Sequence, residues 1–97
     1  MSQLRAELLN AKTLDDTWFV YLLRCADGSL YTGITTNVVR RCEKHNSGTA
    51  SHYTRCRRPV ALVYQERQSN RSQASKREAA IKGLSRAKKE ALIRLAV

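Results

Sequence analysis

The stretch WFVYLLRCADGSLYTGITTNVVRRCEKH, residues 18–45, decides the fold of this chain. Its first part, Trp18 to Cys25, is mostly aromatic, β-branched or aliphatic, which is typical of a buried strand. The Asp27-Gly28 pair is typical of a tight turn, and Leu30 to Ile34 then returns as a second strand. The stretch therefore predicts an antiparallel β-hairpin followed by a polar segment.

A helix is predicted directly after the hairpin. Asn37 is a favoured N-cap residue and Gly48 is a helix stop signal, so we expect a helix from Val38 to Ser47. Side chains three and four positions apart are neighbours on a helix. By that spacing, one face of the predicted helix carries three polar side chains: Arg41, Lys44 and His45.

The remainder of the chain adds one strand and two helices. Gly48 to Pro59 is a basic loop, and Val60 to Glu66 has the composition of a third strand. Asn70 to Lys82 is predicted to be a helix, and Ser85 can cap a last helix that runs to about Leu95. A hairpin and one more strand, flanked by helices, predict an α+β domain with a small three-stranded antiparallel sheet.

The length of the chain indicates one domain, preceded by an extension. A chain of 97 residues supports a single hydrophobic core. Ser2 to Ala11 carries leucines at helical spacing, and Lys12 to Thr17 is polar, so we expect a short amphipathic helix and a linker. Residues 1–17 are thus assigned to the extension, without a catalytic role, and residues 18–97 to the functional domain.

The charge of the chain is high and unevenly distributed. Lys and Arg number 18 against 8 Asp and Glu, a formal net charge of +10. Residues 1–39 carry three basic and four acidic groups, whereas residues 40–97 carry fifteen basic and four acidic groups. Nucleic acid is the expected partner of such a basic region, because the binding of Lys and Arg to its phosphates releases counterions and so favours the complex. A solvated basic face that only keeps the protein soluble is the alternative.

Cysteine usage and hydropathy indicate the cellular location that we expect for the protein. Three cysteines cannot all pair and no signal peptide precedes them, so we expect a reducing, cytoplasmic location. No apolar run approaches the roughly 20 residues of a membrane helix, so no membrane partner is expected. Cys42 and His45 form a C-x2-H pair, but no second paired ligand set accompanies it. Buried or incidental thiols are therefore favoured over a zinc site.

The hairpin loop decides whether Tyr21 and Tyr31 can act together. A two-residue loop would put the two side chains on opposite faces of the hairpin. A three-residue loop with Gly28 in the left-handed conformation would pair Cys25 with Ser29 and make the tyrosines diagonal neighbours on one face. A joint role for the tyrosines therefore requires a loop of odd length. Taken alone, two strand tyrosines are more often packing residues.

Two tripeptides and three polar residues form an ordered set around these tyrosines. They are Phe19-Val20-Tyr21, Tyr31-Thr32-Gly33, Arg41, His45 and Glu78. The set resembles the motifs of the GIY-YIG nuclease family, with phenylalanine in place of the leading glycine of the first tripeptide. The resemblance extends from Trp18 to about Gly83 and looks like the small, single-domain bacterial members. It implies a GIY-YIG-like α+β fold.

The resemblance also implies a metal-dependent endonuclease that hydrolyses DNA phosphodiester bonds, with structured or damaged DNA among the expected substrates and RNA as a second nucleic acid to test. Arg41 can hold phosphate oxygens bidentately, and one carboxylate is enough for a hard cation that keeps several waters. The general base stays open between a tyrosine and the histidine. The implied catalytic residues are Tyr21, Tyr31, Arg41 and His45, Gly33 is a structural motif residue, and Glu78 would bind Mg²⁺ or Mn²⁺.

A basic footprint around this site is expected to contact DNA phosphates rather than bases. It comprises Arg40, Lys44, Arg55, Arg57 and Arg58. Two alternatives to a self-sufficient nuclease stay open. One is a nucleic-acid-binding module that kept the scaffold without useful turnover, and the other is a subunit that cuts only with a partner. The oligomeric state is left open as well.

Overall fold

The structure of the protein, a computed structural model, describes residues 17–96. The predicted N-terminal helix and all of its linker except Thr17 lie outside the described residues. Seven elements follow in order: β1 (Trp18–Arg24), β2 (Leu30–Thr35), α1 (Val38–Ser47), α2 (His52–Arg55), β3 (Ala61–Gln68), α3 (Arg71–Lys82) and α4 (Arg86–Leu95). This order confirms the predicted α+β class with a three-stranded antiparallel sheet.

The β1–β2 hairpin has the three-residue loop that brings the two tyrosines together. The Cys25 backbone N–H donates to the Ser29 carbonyl at 2.9 Å, and Gly28 has a positive φ of 87°. Glycine adopts this left-handed conformation at no steric cost. In the resulting register Tyr21 lies opposite Gly33, two positions from Tyr31 along β2. Both tyrosines therefore point to the same face of the sheet.

Strand β1 is the central strand of the sheet, in the order β2-β1-β3, and its two faces pack against different helices. Val20 and Leu22 form one core with Ala74 and Ile81 of α3. On the other face, Tyr21, Leu23, Cys25 and Val60 form a second core that packs against Tyr31, Cys42 and Tyr53. Because both faces of β1 are buried, its sequence is almost continuously apolar rather than alternating.

The helices begin where capping residues satisfy their first free backbone N–H groups. The side chains of Asn37, Asn70 and Ser85 cap α1, α3 and α4. The prediction of a basic loop from Gly48 to Pro59 is wrong in part, because Ser51 caps a short helix there, α2. Strand β3 is also displaced from its predicted bounds: it begins at Ala61 and ends at Gln68.

Two side-chain contacts tie the helices to the sheet. The Asn46 amide of α1 donates to the Val60 carbonyl at 3.0 Å and accepts from the Val60 N–H at 2.7 Å, just before β3. The guanidinium of Arg24, in β1, holds both carboxylate oxygens of Glu90, in α4, at 2.8 and 2.7 Å. None of the helices within residues 17–96 is long and apolar enough to cross a membrane.

Candidate active site

Tyr21 and His45 form a buried hydrogen bond between the sheet and α1. Tyr21 is 1% exposed and His45 is 0% exposed. The phenol oxygen of Tyr21 lies 2.8 Å from His45 Nε2, and His45 Nδ1 lies 2.7 Å from the Thr54 hydroxyl of α2. A neutral imidazole has one donor and one acceptor nitrogen. The chain Tyr21–His45–Thr54 therefore gives both ring nitrogens a partner.

Burial sets the protonation states of this pair. Desolvation lowers the pKa of His45 to about 4, and the Arg41 guanidinium lowers it in the same direction. Desolvation raises the pKa of Tyr21 to about 12, although hydrogen bonding to Arg41 lowers it in part. Burial disfavours the charged form of each group. At neutral pH the imidazole is therefore neutral and the phenol keeps its proton.

Tyr31 packs between His45 and a second aromatic ring. Its ring centroid lies 5.0 Å from that of His45, in an edge-to-face arrangement. On the other side the Tyr53 ring of α2 stacks at 5.9 Å. The guanidinium carbon of Arg57 lies 3.8 Å above the centre of the Tyr53 ring. The position of Tyr31 is thus fixed by a layer of rings that α1 and α2 supply.

Gly33 makes room for the Tyr21 ring. A Cβ atom on Gly33 would lie 2.5 Å from the Tyr21 hydroxyl oxygen and 2.6 Å from Cζ. Such distances are far below van der Waals contact, so any side chain at this position would displace the phenol. The small residue is required by the ring that crosses it and not by its backbone conformation, since Gly33 has no positive φ.

A cleft of about 390 Å³ lies along β2, the edge strand, and brings most of the predicted residues together. Tyr21, Tyr31, Gly33, Arg41 and Glu78 all line it. Tyr21 and Tyr31 belong to the face covered by α1 and α2, whereas Glu78 is on α3, which packs on the opposite face. Because β2 is at the edge of the sheet, side chains from both faces reach one cleft. His45 does not line the cleft but lies behind Tyr21.

Arg41 carries an unsatisfied donor at this cleft. Its Nε is buried and has no hydrogen-bond partner among residues 17–96. No carboxylate in the same range lies within ion-pair distance of its guanidinium. A buried donor without an acceptor is costly, so an anion that reached Arg41 would be bound favourably.

Comparison with known proteins agrees with this geometry. Residues 17–91 match the family described as the GIY-YIG catalytic domain. The chain belongs to the GIY-YIG family. GIY-YIG domains are endonuclease domains, and as a family they generally use divalent metal ions. The resemblance inferred from the motifs is therefore confirmed.

Similar GIY-YIG relatives include UPF0213 proteins of bacteria. A UPF0213 protein of Desulfotalea psychrophila is 59% identical over 78 residues, which cover 79% of this chain and 71% of the relative. A UPF0213 protein of Staphylococcus aureus is 53% identical over 79 residues, covering 81% and 96%.

Solved structures support the GIY-YIG-like fold. The solution NMR structure of a UPF0213 protein from Bacillus halodurans superposes with a TM-score of 0.53 at 47% identity, covering 81% of this chain and 84% of the other. The solution NMR structure of an E. faecalis protein superposes with a TM-score of 0.56 at 43% identity, with the same coverage.

The cleft has the donor chemistry for a lightly held divalent cation. Glu78 lines it, and Glu78 is 23% exposed in its side chain. Within residues 17–96 no group of three or more His, Cys, Asp or Glu side chains could hold a metal ion. Mg²⁺ keeps several of its waters and is commonly bound by one or two carboxylates, so a single glutamate fits such an ion. Glu78 also lies 3.4 Å from Lys82 Nζ in an ion pair.

Two of the basic residues predicted to contact DNA lie next to this GIY-YIG cleft. Arg40 and Lys44 line a groove of about 290 Å³ that they share with Arg41. Among the described residues neither of them forms an ion pair. The groove therefore continues the positive surface of the cleft along α1.

The other three basic residues of the predicted footprint contact the protein itself. Arg57 pairs with Asp27 at 3.1 Å and donates to the Tyr53 carbonyl at 3.0 Å. Arg58 donates to the Arg55 carbonyl at 3.0 Å. The Arg55 guanidinium lies 2.9 Å from Nδ1 of the exposed His52. Arg55, Arg57 and Arg58 line neither the cleft nor the groove.

Three residues at the site were not singled out by sequence reasoning. Thr54 has no sequence signal as a histidine partner, because it is brought to His45 by the packing of α2 on α1. Trp18 and Arg71 line the cleft as well. Trp18 gave no separate signal, because an aromatic residue is common in a strand. Arg71 carried a weak signal, since it follows the N-cap Asn70, where an acidic residue is favoured.

Proposed function

We propose that this protein is a divalent-metal-dependent endonuclease that hydrolyses phosphodiester bonds in DNA. The supporting observation is a single cleft in which Arg41, with its unsatisfied buried Nε, lies with Tyr21, Tyr31 and Glu78. Phosphodiester hydrolysis requires an oriented water, stabilisation of charge on the phosphate and stabilisation of the departing oxygen. The side chains of the cleft have the chemistry for these tasks.

Arg41 is proposed to bind the phosphate at which the chain is cut. A phosphate in the cleft would give the Arg41 guanidinium the anionic partner that it lacks among residues 17–96. The guanidinium keeps its charge at every relevant pH and can hold two oxygens through parallel hydrogen bonds. As negative charge gathers on these oxygens in the transition state, the contact strengthens, so Arg41 would contribute more to turnover than to binding.

Tyr21 is proposed to orient the attacking water, with His45 as its positioning residue. Tyr21 lines the cleft, whereas His45 lies behind it and does not. When Thr54 accepts from His45 Nδ1, the other nitrogen accepts the proton of the Tyr21 hydroxyl. Arg41 hydrogen bonds to the same phenol oxygen, and the remaining lone pair is then available to a water in the cleft. This arrangement favours a tyrosine over the histidine for the contact with water, and Tyr31 is the second phenol beside it.

Glu78 is the residue proposed to hold Mg²⁺ or Mn²⁺. When bound, such an ion stabilises the negative charge on the departing oxygen. The ion pair with Lys82 is partly exposed, on the Lys82 side above all, and ion pairs between helix positions i and i+4 contribute at most about 1 kcal/mol. Lys82 can therefore yield the carboxylate without a large cost. Arg40 and Lys44, in the adjacent groove, are proposed to hold the neighbouring phosphates.

The Glu78–Lys82 contact also favours a second candidate function. If that ion pair is the only role of Glu78, the cleft binds phosphates without cleaving them. The protein would then be a nucleic-acid-binding module on a nuclease scaffold. The two functions share Arg41 and the basic groove and differ in what Glu78 does.

The deciding experiment compares two variants that each remove one partner of the ion pair. Purified parent, Glu78→Gln and Lys82→Gln proteins are incubated with labelled single-stranded, duplex, flapped and branched DNA, in Mg²⁺, Mn²⁺ or EDTA. RNA strands are included. We expect the parent and Lys82→Gln to cut in the presence of metal, and Glu78→Gln to lose cleavage while its DNA binding stays equal or becomes tighter.

A different pattern would overturn the proposal. If Glu78 serves only the ion pair, both variants should behave alike in cleavage and stability. Cleavage by pure Glu78→Gln protein would remove this residue from the mechanism. No cleavage by the parent on any strand, together with retained binding, would leave the binding module as the function.

A further inference from the structure

An aromatic residue and a cation lie together at the rim of the cleft without a role in the proposed chemistry. Trp18, the first residue of β1, is partly buried and lines the cleft with Tyr21 and Glu78. The guanidinium carbon of Arg71 lies 5.4 Å from the centre of the Trp18 ring, within the range of a cation–π contact. Arg71 lines the same cleft and is itself exposed.

Arg71 lies at a helix start without an acidic partner among the described residues. It is the first residue of α3, where the helix dipole favours negative rather than positive charge. Within residues 17–96 no carboxylate forms an ion pair with it. By contrast Arg86, the first residue of α4, pairs with Glu90 at 3.1 Å. A cation at a helix start that lines a cleft with Arg41, and that no carboxylate of residues 17–96 neutralises, is suited to a phosphate-bearing ligand.

The two side chains offer what a nucleobase binds. An indole face and a planar guanidinium both stack on bases, and this stacking is tolerant of sequence because every base has a π-face. We infer that Trp18 and Arg71 form a stacking subsite for an unpaired nucleobase next to the phosphate held by Arg41. The inference rests on the proposed function, because it takes the ligand of the cleft to be a nucleic-acid strand.

The subsite selects among nucleic-acid structures. In a duplex the base faces are covered by neighbouring pairs, so no base can reach the indole unless the pair opens. A single strand, a frayed end or a flap presents a free base face at no such cost. The substrate class that follows is nucleic acid with an unpaired nucleotide at the position of cleavage.

The experiment uses Trp18 as its own reporter, because it is the one tryptophan of the chain. The full-length protein is titrated in EDTA, which prevents metal-dependent cleavage. The probes are a short single-stranded thymidylate, a sugar–phosphate strand of equal length without bases, and a duplex whose two ends are closed by linkers without bases. We expect the thymidylate to quench the tryptophan fluorescence and to bind about ten-fold more tightly than the strand without bases. The duplex should cause little quenching.

Variants on one helix separate stacking from charge. Arg71→Ala should lose most of the preference for the strand with bases. Lys76→Ala removes the same charge from an exposed position of α3 outside the cleft, and it should keep that preference. Trp18→Leu, followed by anisotropy of a labelled strand, should behave like Arg71→Ala. Equal quenching and affinity with and without bases, or equal quenching by the duplex, would overturn the subsite.

Cleavage in Mg²⁺ is measured separately, so the two proposals fail independently. Base-dependent quenching without cleavage of any strand would overturn the nuclease function and support the subsite. Metal-dependent cleavage of duplex and single strands at equal rates, without base-dependent quenching, would support the nuclease and overturn the subsite.

Discussion

Gly33 is the residue that most directly connects the hairpin to the site. Its missing side chain leaves the space that the Tyr21 ring occupies, with the hydroxyl oxygen 2.5 Å from where a Cβ would lie. Tyr21 in turn joins β1 to the buried imidazole of His45 through a hydrogen bond. A change of one methyl group should therefore act on the chemistry through the position of the phenol.

We predict that Gly33→Ala displaces Tyr21 and lowers cleavage strongly, at a cost of about 1–3 kcal/mol in the free energy of unfolding. The control is Gly28→Ala, where a Cβ meets nothing within 4 Å but φ is +87°. That variant should lose about 1 kcal/mol of stability and keep its cleavage rate. Urea unfolding and single-turnover cleavage measure the two effects. Similar cleavage by both variants would show that the phenol position does not matter.

Arg41 provides the second prediction at this scale. Arg41→Lys keeps the positive charge but removes Nε and the planar fork, so the phosphate loses its bidentate contact. Turnover should fall by roughly 100-fold, as for loss of a transition-state donor, while the dissociation constant for DNA changes far less. Single-turnover rates and equilibrium binding are compared on the same strand. A lysine variant that cuts at the parental rate would reduce Arg41 to a surface charge.

At the scale of elements, the edge position of β2 explains how residues from two layers form one site. Tyr31 lies on the side of α1 and α2, while Glu78 projects from α3 on the other side of the sheet. In a central strand these two residues would be separated by the sheet. The cleft exists because no further strand of the described residues lies beyond β2.

His45 of α1 is buried against Thr54 of α2, and its lowered pKa should make the free energy of unfolding depend on pH. The unfolded imidazole binds a proton below about pH 6.5, but burial holds the folded pKa near 4. Between these values the unfolded state binds more protons, so stability falls as the pH drops through this window and is constant above it. The urea midpoint of the parent should therefore decrease from pH 7.5 to pH 5.5.

The matched variants are His45→Asn and His52→Asn, since His52 is the exposed histidine of α2. His45→Asn lowers stability at every pH but should remove most of the slope, whereas His52→Asn should keep it. An unchanged slope in His45→Asn would mean that the imidazole is not held neutral by burial.

At the scale of the whole molecule, the net charge of +10 divides into cations held by the protein and cations free to meet a ligand. Arg57 belongs to the first group, through Asp27 and the Tyr53 ring. Arg40 and Lys44 belong to the second, because they line the groove beside the cleft without an acidic partner among the described residues. We therefore expect the binding surface to be smaller than the net charge alone predicts.

Salt dependence of DNA binding tests this division. Arg40→Ala and Lys44→Ala should each reduce the slope of log K against log salt by about one unit. Arg57→Ala should instead lower the melting temperature and leave the slope near that of the parent. Lys88→Ala in α4 is the control for an exposed charge outside the cleft and groove. If the slope for Arg57→Ala is a full unit smaller than that of the parent, Arg57 contacts a DNA phosphate and this division is wrong.

The sequence by itself determined the elements and the identity of the candidate residues. The apolar run of β1, the turn at Gly28 and the caps Asn37 and Ser85 act over a few neighbouring residues, so local patterns predict them. The spacing of the motif residues likewise pointed to the GIY-YIG family. The bounds of β3 and the presence of α2 were missed because burial and capping inside a basic loop override its composition.

Only the tertiary structure decided how the candidate residues are arranged. It buried His45 behind Tyr21, paired Arg57 with Asp27, and brought Trp18 and Arg71 to the rim of the same cleft. These relations join residues on different elements, and the protonation states follow from desolvation, which no local pattern reports. A short-range pattern states which side chains are available, whereas packing across the sheet and around the β2 edge determines which of them lose water, find a partner or remain free to bind a ligand.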